Sequence, residues 1–240
     1  MGETLVLLHG FAGTGRGWDG VVGELGRERY TALAPDLRGH GSQGGARPVS
    51  FEAITADVLA GGPSRFALGG YSMGGRIALG VALAAPERIS RLVLVATTAG
   101  IADDGERGAR RAADERLAQE IETGDITAFA DRWLAQPLFA DDGEETQRLA
   151  RADIERNEPA GLAAALRGVG TGAMAPLWSR LGELTMPVLV LAGERDAKFT
   201  AIGGQLVAAI PGAELELIAG AGHALPRAAP AALARAISRR

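Results

Sequence analysis

The chain has 240 residues, a formal net charge of −4, three histidines and no cysteine. This length is sufficient for one sizeable α/β core with an inserted subdomain, and the missing cysteines exclude disulfides and thiol catalysis. The sequence contains no block of like charge, no targeting segment and no apolar run of membrane-spanning length. We therefore expect a cytoplasmic protein that binds neither nucleic acid nor a membrane and holds no metal, with a monomer favoured but the oligomeric state open.

Short apolar runs recur along the chain, and each is followed by Gly, Asp or Thr and then by a helical pattern. The runs are Thr4–Leu8, Tyr30–Ala34, Phe66–Leu68, Leu92–Val95, Val188–Leu191 and Leu215–Ile218. Alternation of buried strands with helices predicts a parallel sheet that is covered on both faces. The active site of such a sheet is expected at the carboxyl ends of its strands.

The strand pattern stops in the middle of the chain. Between Thr98 and about Arg180 it is replaced by charged helical stretches, which include GARRAADERLAQEIE, DITAFADRWLAQ and ETQRLARADIERN. This segment is too apolar for disorder and too long for a bare loop. The sequence thus predicts a core of residues 1–98 and 181–240, with a helical cap of residues 99–180 inserted in it.

One serine, Ser72, lies between two glycines in the stretch GYSMGG, at the spacing G-x-S-x-G. A short buried strand, Phe66–Leu68, precedes it, and an apolar helix, Arg76–Ala85, follows it. A serine that acts as a nucleophile or base has to project from a tight strand-to-helix turn, where bulky flanking residues would collide with the backbone. The pattern predicts a nucleophile elbow at Ser72, and the alternative is a plain helix N-terminus.

A reactive serine needs a histidine to take its proton and a carboxylate to hold that histidine. Of the three histidines, His9 and His40 follow the first two strands, whereas His223 lies on a Gly-rich loop beyond the last strand. The chain order Ser, acid, His that accompanies this kind of elbow selects His223. Asp196, at the end of VLVLAGERD, is then the expected acid, and the alternative for it is a polar residue that closes a strand.

An oxyanion that forms on a substrate carbonyl needs backbone N–H donors. The residue after the serine, Met73, supplies the first of them. The second is expected from Phe11, in the loop HGFAGTG that follows the first strand. These two amides are the predicted oxyanion hole.

The motifs LLHGF, DLRGHG, GYSMGGR, GERD and GAGH occur in this order. With them the chain resembles the α/β-hydrolase superfamily over essentially its whole length. The resemblance implies an α/β-hydrolase fold with a mostly parallel sheet and an inserted helical cap. Only three residues precede the first strand, so the two strands that often begin this fold have no sequence to form them. We expect about six strands.

A narrower resemblance rests on LLHGFAGTGRGWD, GYSMGGRIAL, ARRAADE, RWLAQPLF, GERDAKF and GAGHA. These stretches are similar to the menaquinone-pathway synthases that make 2-succinyl-6-hydroxy-2,4-cyclohexadiene-1-carboxylate. Members of that family are lyases that eliminate pyruvate from a 5-enolpyruvyl precursor, with the triad serine as a base. The resemblance implies a small-molecule polycarboxylate substrate and no cofactor. Arg38, where the family often has proline, departs from the pattern.

The same resemblance implies a set of substrate-binding residues: Tyr71, Arg76, Arg110, Trp133 and Arg156. Arg76 lies four residues after Ser72, hence on the same face of the helix that leaves the elbow. Guanidinium groups suit the carboxylates of the implied substrate. For each arginine the alternative is an ordinary surface residue, and Arg111 could replace Arg110 after a one-residue slip. Trp133 could equally be ordinary cap core.

The sequence therefore favours a pyruvate-eliminating carbon–oxygen lyase of the α/β-hydrolase superfamily. Two other hypotheses remain open. The first is a hydrolase with the same triad acting covalently, either a carboxylesterase or a hydrolase of carbon–carbon bonds. The second is a binding protein without activity, against which the complete triad argues. The arginines discriminate between lyase and esterase, since buried unpaired guanidinium groups are costly in a pocket for neutral acyl chains.

Overall fold

One sheet of six parallel strands forms the centre of the computed structural model, which describes residues 2–26 and 29–239. The strands are β1 Glu3–Leu8, β2 Tyr30–Leu33, β3 Phe66–Tyr71, β4 Ile89–Val95, β5 Val188–Gly193 and β6 Glu214–Ile218. Their order across the sheet is β2-β1-β3-β4-β5-β6, and every neighbouring pair is parallel. The predicted six-stranded parallel sheet is confirmed. Strand β2 lies on one side of β1, and the later strands β3 to β6 follow on the other side, so the order of the strands reverses between β1 and β3. Ligands of such sheets bind at this switch point.

Helices cover both faces of the sheet. In the described residues they are α1 Asp19–Glu24, α2 Phe51–Gly61, α3 Met73–Ala84, α4 Asp104–Thr123, α5 Ile126–Leu134, α6 Glu144–Ile154, α7 Pro159–Val169, α8 Ala197–Ala209, α9 Leu225–Ala228 and α10 Pro230–Ser238. None of these described helices is both long enough and apolar enough to cross a membrane.

The central strands β3 and β5 are buried along their whole length because each side of the sheet is packed, whereas the edge strands β2 and β6 are only partly buried. Successive side chains of a strand point to opposite faces, so Val6 and Leu8 of β1 enter one apolar cluster and Leu5 and Leu7 enter the other. The first cluster includes the buried face of α3, and the second includes Trp18. The sheet is thereby held rigid, and its carboxyl edge is a fixed platform for the loops that follow the strands.

The four helices α4 to α7 lie between β4 and β5 in the chain, where the sequence predicts a cap. They form an apolar cluster of their own, which also takes in Ala12 from the loop after β1. The guanidinium of Arg167 on α7 bonds to Glu115 and Glu122 on α4, with nitrogen–oxygen distances of 2.6 to 3.0 Å. Helix α7 also reaches the sheet cluster through Ala165 and Val169. The domain boundaries at residues 98 and 181 stay a prediction.

Candidate active site

Ser72 occupies the sharp turn between β3 and α3 in a conformation that residues other than glycine rarely adopt, with φ 52° and ψ −108°. Strain of this kind costs about 1 to 3 kcal/mol and has to be imposed by the surrounding structure. Here the backbone N–H of Ser72 donates to the carbonyl of Val95 at 2.9 Å, and the hydroxyl of Thr97 donates to the carbonyl of Ser72 at 2.7 Å. The peptide groups on both sides of the serine are therefore fixed by β4 and the residues that follow it.

The glycines around Ser72 are required by close backbone contacts. A Cβ atom at Gly70 would lie 2.2 Å from the carbonyl oxygen of Gly74, and a Cβ atom at Gly74 would lie 2.2 Å from the carbonyl oxygen of Leu8. Real Cβ atoms do not approach backbone this closely, so the spacing G-x-S-x-G is what allows α3 to begin directly against β1. The turn has the geometry of the predicted nucleophile elbow.

A substitution at Gly74 tests this explanation, and Gly80 of the same helix supplies a matched control. We expect Gly74→Ala to lower the free energy of unfolding by about 3 kcal/mol, because its Cβ has no room. Gly80→Ala meets no atom within 4 Å and should raise stability by about 0.5 to 1 kcal/mol. Urea unfolding of both variants measures the difference, and equal effects would contradict the steric account.

His223 and Asp196 form a buried pair beyond β6 and β5. The Nδ1 atom of His223 lies 2.7 Å from Oδ2 of Asp196, while Oδ1 of Asp196 accepts from the backbone N–H of Phe199 at 3.1 Å. Asp196 thus caps α8 with one oxygen and holds the imidazole with the other. A proton kept on Nδ1 leaves Nε2 as the basic nitrogen, which is the state that a general base requires. The ring of Phe199 packs 4.6 Å from that of His223.

The other two histidines have structural contacts that occupy their ring nitrogens. Nε2 of His9 accepts from the backbone N–H of Leu37 at 3.0 Å, and its Nδ1 lies 2.8 Å from the carbonyl of Gly10. Nε2 of His40 accepts from the backbone N–H of Ala12 at 3.3 Å. Burial lowers the pKa of both, that of His40 to about 3, so they stay neutral. These contacts support the choice of His223 as the base.

The predicted oxyanion donors lie on two sides of the elbow. Met73 is the first residue of α3, so its N–H has no carbonyl partner within the helix. Phe11 lies in the turn after β1, where Gly13 N–H donates to the carbonyl of Gly10 at 3.1 Å. Both Phe11 and Met73 line the same cavity as Ser72. The arrangement suits an oxyanion hole, whose role stays a prediction.

A cavity of about 540 Å³ joins these groups at the carboxyl edge of the sheet, and residues of α4, α5 and α7 contribute to its lining. The three predicted triad residues, Ser72, Asp196 and His223, line it, as do four of the five predicted substrate-binding residues, Tyr71, Arg76, Arg110 and Trp133. Arg156 is exposed and is not among the lining residues. Arg156 therefore does not lie with the other four predicted substrate-binding residues, and its role in substrate binding stays a prediction.

Arg76 is a buried cation at the floor of the cavity, with only 6% of its surface exposed. One guanidinium nitrogen donates to the carbonyl of Val169 at 2.8 Å, but no carboxylate of the described residues lies within ion-pair distance. Burial and, after it, the nearby charge of Arg110 lower the pKa of Arg76 to about 10, against an opposing effect of the Asp114 carboxylate. The group is still protonated at neutral pH, so the cavity contains a positive charge that makes no ion pair with a carboxylate of the described residues.

Arg110 reaches the cavity from α4. Its Nε donates to Oδ1 of the buried Asp114 at 2.7 Å, and 43% of its side chain is exposed. Asp114 also accepts from the backbone N–H of Gly172 at 3.2 Å, which fixes the carboxylate and through it the arginine. Arg111 does not line the cavity. Of the two neighbouring arginines that the sequence left open, Arg110 is therefore the one placed towards Ser72.

Two cations and an aromatic ring that follow β5 were not predicted from the sequence. Arg195 and Lys198 are exposed at the cavity and Phe199 packs on His223. Lys198 is the only lysine of the chain. That isolated lysine, two residues after the predicted acid, was the signal that could have indicated the site. On the cap side, the Trp133 ring lies 5.2 Å from that of Phe11, so the tryptophan contributes to the cavity wall.

Among the described residues, no group of three or more His, Asp or Glu side chains is arranged to hold a metal ion. The polar side chains that line the cavity include the serine, the histidine–aspartate pair and the cations, together with Asp141, Gln136 and Thr97. Catalysis by this set would operate through proton transfer and charge stabilisation.

A parallel sheet with a serine elbow and a His–Asp pair at the carboxyl ends of its strands is the arrangement of an α/β-hydrolase. The sequence model of the alpha/beta hydrolase family matches residues 5–236, and the chain belongs to this family. Its relatives include a protein of Bacillus subtilis (strain 168), provisionally assigned as a 2-succinyl-6-hydroxy-2,4-cyclohexadiene-1-carboxylate synthase. That relative is 37% identical over 233 residues, which cover 92% of this chain and 84% of the relative.

The synthase of the same name from Escherichia coli O1:K1 / APEC is 32% identical, over 95% of this chain and 89% of the relative. Among solved structures, MenH from S. aureus superposes with a TM-score of 0.92 at 32% identity, over 98% of this chain and 91% of that one. A thermophilic esterase from Thermogutta terrifontis, with malate bound, superposes with a TM-score of 0.87 at 26% identity, over 100% of this chain and 89% of the esterase chain. The predicted resemblance to the α/β-hydrolases and to these synthases is confirmed.

Proposed function

We propose that this enzyme eliminates pyruvate from 2-succinyl-5-enolpyruvyl-6-hydroxy-3-cyclohexene-1-carboxylate to give 2-succinyl-6-hydroxy-2,4-cyclohexadiene-1-carboxylate. The observation that carries the proposal is Arg76, a buried guanidinium that lines the same cavity as Ser72 and makes no ion pair with a described carboxylate. Such a group is costly in a pocket for neutral molecules and useful in a pocket for carboxylates. The similarity to synthases of this name supports the same reaction.

The substrate carries a ring carboxylate, a succinyl carboxylate and an enolpyruvyl carboxylate, and the cavity offers matching groups. Arg76 and Arg110 line one cavity and influence each other electrostatically. Two guanidinium groups in one cavity suit a substrate that carries more than one carboxylate, because each can form charge-assisted hydrogen bonds to a carboxylate. The aromatic rings of Phe11, Trp133 and Phe139 provide an apolar wall for the ring.

The triad would start the reaction as a base. His223, held by Asp196, takes the proton of Ser72, and the serine oxygen removes the proton of the ring carbon next to the succinyl carbonyl. Negative charge develops on that carbonyl oxygen, where the backbone N–H groups of Phe11 and Met73 can stabilise it. Ser72 exchanges only a proton in this scheme and forms no covalent bond to the substrate.

Bond breaking completes the elimination. As the electron pair returns from the carbonyl oxygen, the ring double bond shifts by one position and the bond from ring carbon to enolpyruvyl oxygen breaks. The electron pair of the removed proton forms a new double bond at the ring carbon that carries the succinyl group, so the ring ends with two conjugated double bonds in place of one. The leaving enolate takes up one proton to give pyruvate. The proton removed by the base is balanced by the one delivered to the leaving group, so no water, oxidant or cofactor is consumed.

The second candidate function is a carboxylesterase, which the structural similarity to the Thermogutta esterase favours. The same Ser72 and His223 would then act through an acylated serine. The fate of Ser72 separates the two candidates, since only the esterase forms a covalent intermediate.

Parallel assays with an activated ester and with the enolpyruvyl precursor distinguish these fates. We expect weak or absent turnover of p-nitrophenyl acetate, without a burst, because a cation-lined cavity disfavours a neutral ester. The precursor should release pyruvate efficiently under the same conditions. Rapid ester hydrolysis with a burst, and no pyruvate from the precursor, would reject the lyase and favour the esterase.

A further inference from the structure

Asp153, near the end of α6, is a buried carboxylate that contacts two loops of the core. Only 4% of its surface is exposed. It accepts from the backbone N–H of Thr14 at 2.9 Å and also from the Thr14 hydroxyl, in the loop after β1. It pairs in addition with the guanidinium of Arg227 on α9, four residues beyond His223. One side chain of the helical segment thus joins the loop that carries Phe11 to the segment that carries His223.

Asn157, four residues later, makes a second connection to the loop after β1. Its Nδ2 donates to the carbonyl of Ala12 at 3.0 Å, and its Oδ1 accepts from the backbone N–H of Gly41 at 2.9 Å. Ala12 has a φ of 59°, a strained value for a residue with a side chain, and its N–H donates to His40 at 3.3 Å. Both peptide groups of Ala12 are therefore held, which orients the preceding residue, Phe11.

A purely structural explanation for this network is incomplete. Buried ion pairs are poor stabilisers, because desolvation of the two charges offsets most of their attraction. Helix α6 already has apolar anchors, since Ala150 and Ile154 belong to the same apolar cluster as Ala12. Asp153 of α6 and Asn157, in the turn after it, add polar bonds to the loop with the oxyanion donor, and Asp153 also bonds to the segment after the base.

We propose that Asp153 and Asn157 are positioning residues, which hold the Phe11 amide and His223 in register with Ser72. The inference rests on the proposed function in that Phe11 is taken as an oxyanion donor. It assigns α6 a part in preorganisation, since a donor displaced by a fraction of an ångström stabilises an oxyanion less well. Neither residue is expected to touch the substrate.

The test compares Asp153→Asn with Asp131→Asn, a matched control. Asp131 is an exposed carboxylate of α5 whose side-chain partner among the described residues is Arg151 of α6. We expect Asp153→Asn to lower kcat for pyruvate release by about 10- to 100-fold with KM changed less than about 3-fold. The control should retain the parent kcat and KM. An unchanged kcat in Asp153→Asn, or a fall that follows only the loss of folded protein in urea unfolding, would overturn the proposal.

Thr14 provides a second pair of variants in case Asp153→Asn folds poorly. Thr14→Ser keeps the hydroxyl that bonds Asp153 and should retain most of the parent kcat, whereas Thr14→Val removes it and should lower kcat with little change in KM. Equal kcat values for the two would overturn the positioning role. The parent enzyme is assayed first with the enolpyruvyl precursor. If it hydrolyses the ester and releases no pyruvate, the proposed function fails, and the same variants are compared on the ester, whose oxyanion uses the same donors.

Discussion

Ser72→Ala and His223→Ala should each reduce the turnover of pyruvate release by about three orders of magnitude or more. Ser72 is the residue at the strained turn, and His223 is the histidine held by a buried carboxylate at 2.7 Å. His9 and His40 cannot substitute, because their ring nitrogens are engaged and burial keeps them neutral. Removal of either member therefore leaves no base for the substrate proton.

Steady-state kinetics measure this effect, with Ser64→Ala as the control for the serine variant because Ser64 is exposed and does not line the cavity. Urea unfolding should show that both triad variants fold. Relief of the strained φ is not expected from Ser72→Ala, since alanine has a Cβ as well. Near-parent turnover in either variant would remove the triad from the mechanism.

Arg76→Met and Arg110→Ala should each weaken kcat/KM for the precursor by about 2 to 4 kcal/mol, because each removes charge-assisted bonds to a carboxylate. The two differ in their effect on stability. Arg76 is buried without a carboxylate, so its replacement by an apolar side chain of similar length should change the free energy of unfolding by less than about 1 kcal/mol. Activity is then lost without loss of the fold.

Matched variants define the specificity of this result. Arg116→Ala removes an exposed arginine of the same helix as Arg110 that does not line the cavity, and it should leave kcat/KM unchanged. Arg76→Lys should restore only part of the lost efficiency, since an ammonium lacks the planar fork of a guanidinium. If Arg76→Met and Arg110→Ala both keep the parent kcat/KM, the arginines do not bind substrate.

The sheet and the elbow could be predicted because their signals are local. Each strand is an apolar run that ends in a turn residue. The close packing of α3 against the sheet requires glycine at positions 70 and 74, on either side of Ser72. Asp196 and His223 follow from chain order, since each comes directly after a strand whose carboxyl end lies at the same edge. Helix α7 was harder to recognise, because its sequence PAGLAAALRGV has few of the charges that marked the other three.

The relative placement of distant side chains could not be predicted, because it depends on tertiary packing. Arg110 and Arg111 differ only by one helical position, yet α4 turns the first alone towards the cavity. Arg156 fitted the family pattern but is exposed in the turn beyond α6. The contact of Asp153 with Thr14 joins residues 139 positions apart in the sequence, so no local sequence pattern indicates it.

The most direct test of the proposed reaction is the parallel measurement of pyruvate and of the conjugated diene after addition of the enolpyruvyl precursor. The mechanism predicts that both products form in equal amounts, faster than without enzyme, and that Ser72→Ala lowers the rate by about three orders of magnitude or more. Pyruvate without the diene would indicate hydrolysis of the enol ether. No enzyme-dependent pyruvate at all would contradict the proposed function.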